Sequence, residues 1–93
     1  MATDSDPKSL CIRSVQLMAT GTLADFEDVV HPDMFNRESI DEPLACRGRG
    51  PAAIYASAVW LRAAYADLHW EVHDAVADGD IVVLHTTMSG RET

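Results

Sequence analysis

Ninety-three residues suffice for one small domain, and a chain of that length buries a smaller share of its surface than a typical domain does. A hydrophobic fraction of 47% beside 24% charged residues is the balance of a globular chain and argues against disorder throughout. The formal net charge of −8, with basic residues scattered apart from Arg47 and Arg49, disfavours nucleic acid and anionic membrane surfaces as partners.

The N-terminus, Met1 to Asp6, is acidic and carries no apolar core, so it does not read as a secretory signal. Ser5-Asp6-Pro7 is a helix-start signal: a capping side chain, then a proline where a missing N–H does no harm. Cys11, Val15 and Met18 fall at i, i+4 and i+7, which predicts an amphipathic helix ending near Gly21, a natural residue for the position after a helix. Thr22 with Asp25 forms a weak capping box for a short second helix with Phe26, Val29 and Val30 on its apolar face, stopped at His31-Pro32. Met34 to Glu38 reads as a short strand, and Ser39 to Gly50 as a loop. Pro51 opens the longest helix, to about Ala66, with Ile54, Ala58, Leu61 and Tyr65 on one stripe. The longest apolar run, Ala52 to Leu61, is too short to cross a bilayer and is interrupted by Ser57.

Leu68 to Arg91 reads as two strands joined at Asp78-Gly79-Asp80, a strong hairpin signal. Helices followed by antiparallel strands give an α+β fold with the helices packed on one face of the sheet. Two cysteines without C-x-x-C spacing, Cys11 and Cys46, fit a reduced, cytoplasmic chain.

If the turn is Asp78-Gly79, one hairpin face carries Leu68, Trp70, Val72, Asp74, Val76, Ile81, Val83, His85 and Thr87. Val72 then stands opposite His85 and Asp74 opposite Val83, leaving Asp74 and His85 as diagonal neighbours on an apolar surface. A carboxylate and an imidazole so placed have the makings of proton transfer to a small organic ligand, with Asp74 as base and His85 as its partner. A buried structural Asp–His hydrogen bond, or an Asp74 that escapes at a bulge, accounts for the same pattern without catalysis, and a one-residue change of register dissolves the pair. The other face of the first strand carries His69, Glu71 and His73 at strand spacing. A solvated polar face explains these residues, and no metal is expected there. Cys46 to Pro51 places two arginines and two glycines before a helix, but neither phosphate-binding glycine pattern is present, and a flexible loop is the expectation.

Four segments together resemble a SnoaL-like domain, the polyketide-cyclase and ester-cyclase relatives within the nuclear transport factor 2-like superfamily. They are FEDVVHPDMFNRE (26–38), RGRGP (47–51), WLRAAYADLHWE (60–71) and VADGDIVVLHTTMSG (76–90). The resemblance covers residues 1–93 as a single domain. It implies a cone-shaped α+β barrel in which a curved antiparallel sheet wraps a long helix around an apolar pocket, with homodimers formed through sheet faces. It further implies a small apolar ligand and, where members are active, intramolecular aldol cyclisation or isomerisation without cofactor. The family continues with further long strands that hold its acid/base Asp and His. Glu92 stands where a His is common, the 93 residues are expected to be a C-terminally shortened form, and no catalytic residue is carried over. Phe35, Trp60, Trp70 and the Asp74/His85 face are the expected pocket walls. Asn36 falls in a segment that lines pockets in relatives. The alternative is a noncatalytic ligand-binding or homo-oligomerisation module, because an uncovered strand edge invites another chain.

Overall fold

The computed structural model describes residues 6–93; Ser5 and the residues before it lie outside the described part. Helix α1 (Pro7–Thr20) starts on Asp6, whose carboxylate accepts from the Ser9 amide at 3.3 Å and the Ser9 hydroxyl at 3.0 Å. It ends at Gly21, whose amide donates to Leu17 O at 2.7 Å. Gly21 is extended (φ −71°, ψ 152°) and not left-handed as a glycine stop usually is. The physical reason is Arg62. Its guanidinium reaches across and donates to the carbonyls of Leu17, Met18 and Gly21 at 2.8, 3.0 and 2.9 Å, so the helix end is satisfied without a backbone reversal.

Helix α2 (Leu23–Val29) carries the complete capping box: Asp25 N donates to Thr22 Oγ1 and Thr22 N to Asp25 Oδ2. Its Phe26 is fully buried against Tyr55, with ring centroids 6.1 Å apart. The expected strand at Met34 to Glu38 does not form. Met34 N bonds to His31 O, and the Asn36 side chain accepts from Glu38 N, opening a 3-10 turn at Arg37–Asp41; a second 3-10 turn spans Leu44–Cys46. Local side-chain bonds thus take the backbone groups a strand would have needed. Gly50 adopts φ 84°, and a Cβ there would lie 2.8 Å from Pro32 O. Only glycine lets the loop close on helix α3 (Pro51–Ala64) at this point. Ala53, Ser57 and Ala58 are the buried face of α3.

Strands β1 (Tyr65–Asp78) and β2 (Ile81–Glu92) form an antiparallel pair joined by a two-residue turn at Gly79-Asp80, one residue later than expected, with Gly79 at φ 57°. Glycine in the first central position is the pattern of a type II′ hairpin turn. Two register shifts interrupt β1. Near Asp67, in left-handed conformation at φ 56°, the strand bends, and Arg91 holds the Asp67 carboxylate at 3.0 Å. Between Val72 and Asp74, His73 is the extra residue. The architecture is α+β, with helices against a two-stranded antiparallel sheet. It is compatible with part of a nuclear transport factor 2-like cone, and the described residues do not close it. No described helix is long and apolar enough to cross a membrane.

Candidate ligand cavity

Ile54 and Leu61 of the stripe predicted on α3 face a cavity of about 220 Å³ between α1, α3 and the segment from Val30 to Glu42. Val15 and Met18 from α1, Ile54 and Leu61 from α3, and Val30 and Met34 supply apolar walls. The polar side chains are few: Ser14, Asn36, Glu42 and Ser57. Ser57, 2% exposed, donates its hydroxyl hydrogen to Glu42 Oε1. Asn36 spends its side-chain oxygen on Glu38 N at 3.1 Å. Its amide nitrogen has no bonded partner among the described residues. An apolar hollow with a small number of placed polar groups is the usual form of a small-molecule site.

Ser57 was visible in the sequence only as a break in an apolar run. It lies at i+3 from Ile54 and i−4 from Leu61, so the helical stripe itself placed it among the cavity walls. Glu42 sits in irregular chain, where periodicity gives no signal. Ser14, Val30 and Met34 also line a wider groove of about 630 Å³ that runs past Leu10 and Cys11 to Asp80 and Val82. The cavity therefore opens into a channel between α1 and the hairpin turn. Burial pushes the Cys11 thiol above its ordinary range, which keeps it from acting as a thiolate.

The hairpin residues are arranged differently. Asp74 stands directly opposite His85, not diagonal to it, with Asp74 Oδ2 3.6 Å from His85 Nδ1. The His73 bulge reverses the faces between Val72 and Asp74, so that the apolar set is split. Leu68, Trp70 and Val72 lie half-buried on the face toward α1, while Asp74, Val76, Ile81, Val83 and His85 face outward. A carboxylate on the inner face would have lost its hydration without a partner, and the bulge avoids this. The two side chains are 77% and 71% exposed, so the pair stands in solvent and not in an apolar cup. His73 packs beside it, its ring 4.9 Å from that of His85 and its Nε2 2.7 Å from Thr87 Oγ1. Glu71 approaches His73 at 4.0 Å. Among the described residues no three His, Cys, Asp or Glu side chains are grouped as a metal ion requires.

The expected pocket walls are dispersed. Asn36 lines the cavity. Trp70 lines a separate hollow of about 280 Å³ with Gln16, Ala19 and Leu68. Phe35 is exposed under the Arg49 guanidinium, 5.0 Å from the ring centre, and Trp60 is exposed on α3.

Comparison with known proteins agrees with this architecture. No curated protein and no solved structure matches the chain. A family model does: that of the SnoaL-like domain, over residues 12–93, which takes in α3, the hairpin, both bulges and every wall of the cavity. By that match, the chain belongs to the SnoaL-like domain family.

Proposed function

We propose that this domain binds a small, largely apolar organic molecule in the cavity between α1 and α3. The observation that carries the reading is the bonded Ser57–Glu42 pair, with Ser14 and Asn36, in an otherwise apolar hollow. The apolar walls supply the binding free energy, at about 25 cal/mol per Å² of ligand surface removed from water. The few polar groups fix its orientation. The test is a fragment titration followed through backbone amide shifts. Amides of Ile54, Ser57 and Met34 are expected to move, and Met34→Trp, which plugs the mouth, is expected to abolish the response while far-UV circular dichroism stays native. Binding that is indifferent to the plug would overturn the reading.

A second reading concerns the outer sheet face. Val76, Val83 and Ile81, at 61%, 60% and 64% exposure, continue the outer face from the Asp74–His85 pair toward the turn with aliphatic surface that solvent does not favour. A second copy of the chain laid on this face would bury these side chains and enclose the pair. Inside such a homodimer Asp74 and His85 would share a proton, as cofactor-independent cyclase- or isomerase-type chemistry needs. Sedimentation equilibrium decides the first half of this reading, with a dimer expected for the native chain and a monomer for Val83→Asp. For an active preparation, Asp74→Asn is expected to abolish turnover, and unchanged turnover would remove the pair from the chemistry.

A further inference from the structure

Granting the proposed small-molecule cavity, we infer that it selects a ligand presenting a cationic nitrogen, a small amine with an apolar body, and discriminates against carboxylates. The selection rests on charge. Among the described residues Glu42 is the one ionisable side chain of the cavity walls, and no Lys, Arg or His lines it. The nearby guanidinium groups point elsewhere. Arg62 is committed to the three carbonyls at the end of α1. Arg47 donates through Nε to the backbone carbonyl of Glu42 at 2.9 Å, on the chain side of that residue, and lines neither cavity nor groove. Nothing within the cavity therefore neutralises the carboxylate.

The hydrogen-bond inventory points the same way. Ser57 occupies Oε1 of Glu42, and Oε2 has no donor among the described residues. A carboxylate is an acceptor only, and its second oxygen, open to solvent, is free to take a donor from the ligand. An ammonium answers with both charge and hydrogens, and such charge-assisted bonds are about twice as strong as neutral ones. A ligand carboxylate would face Glu42 with no cation of the cavity walls between them, a repulsion of like charges.

The approach path adds to the preference. The groove leading to the mouth is lined by Asp80 at the hairpin turn. His31, on the same groove, accepts from the Asp33 amide through Nδ1 at 3.0 Å. With the chain at −8, the field along the groove draws cations inward.

The test uses three probes of nearly equal size, namely cyclohexylmethylamine, cyclohexylmethanol and cyclohexanecarboxylate, titrated at pH 7 into the isotope-labelled chain and read by amide shifts around the cavity. The expected order is amine, then alcohol, then carboxylate, with the amine about tenfold tighter than the alcohol, the scale of one charge-assisted bond. Glu42→Gln is expected to bring the amine to the level of the alcohol and to leave the alcohol unchanged. Glu27→Gln removes an exposed carboxylate on α2 and is expected to change nothing. A carboxylate probe that binds as well as the amine overturns the inference, and so does an amine advantage that survives Glu42→Gln. If none of the three probes moves a cavity amide, the small-molecule reading itself falls. The ranking on the native chain decides the matter even where Glu42→Gln does not fold.

Discussion

Arg62 reaches from α3 to the carbonyls of Leu17, Met18 and Gly21, and no other side chain ties two helices with three hydrogen bonds among the described residues. A cation at a helix C-terminus also meets the negative end of the backbone dipoles. Arg62→Ala leaves those carbonyls to whatever water can reach, and a loss of about 2–3 kcal/mol in urea unfolding is expected, the scale of hydrogen bonds to a charged group. Arg62→Lys should recover part of it, because a single ammonium cannot span the same fork. Asp25 makes a prediction of a different kind. Hydrogen bonds from the Thr22 backbone and then its side chain, against a small desolvation penalty and helped by Arg13, hold its carboxyl below the ordinary 3.8. The unfolded chain therefore binds a proton at a pH where the folded chain does not. The stabilisation from this cap is complete above pH 3.8 and is lost as pH falls through the lower, folded value. Titration of the Asp25 carboxyl carbon by NMR should give a midpoint below 3.8, and Thr22→Ala should raise it.

Among the elements, the three helices and the hairpin were legible because their signals are local: prolines at two helix starts, a capping box, a stripe at helical spacing, alternation around a glycine turn. The segment from Met34 to Asp41 was not, because Asn36 and His31 satisfy its backbone by short-range bonds that no periodicity reports. The Glu42–Ser57 contact joins residues fifteen apart across irregular chain, beyond any window of pattern reading. The β1 bulge lies between. Apolar and polar residues alternate strictly from Leu68 to Val72, and then two polar residues, His73 and Asp74, stand together before Ala75. A strand cannot send both outward without one extra residue, so the bulge was written in that pair. Deleting His73 leaves Val72 inward, Asp74 outward and Ala75 inward, a continuous alternation with every partner on β2 retained. This deletion is expected to keep the hairpin and to cost about 1 kcal/mol or less, the scale of one cross-strand contact. Deleting Ala75 instead sends Val76 inward and Ala77 outward, and is expected to disrupt the packing on α1. Chemical denaturation of the two deletions side by side tests the assignment, and equal losses would contradict it.

Across the whole molecule the burial is lopsided. Phe26, Cys46, Ala53 and Ala58 form the fully covered apolar core, joined by Ser39 and Ser57, and all of them lie in the helices and the loop between α2 and α3. No residue of the hairpin is buried to that degree. The helical layer therefore carries its own core, while the sheet holds one half-covered face toward α1 and one exposed face with Val76, Ile81 and Val83. Strands in that position open more readily than the helices they pack on. If the outer face is covered by a second copy, the association free energy is stored in the hairpin, and the melting temperature becomes dependent on protein concentration. The net charge of −8 on each copy opposes that association, so added salt should strengthen it by screening the repulsion. A rise in melting temperature with concentration is thus expected for the native chain, steeper at high salt and absent in Val83→Asp. Hydrogen exchange locates the effect: the β1 and β2 amides should slow as concentration rises, while those of α3 around Ser57 should not. A concentration-independent melt with a hairpin that exchanges at one rate throughout would leave the outer face solvent-facing, and with it the Asp74–His85 pair.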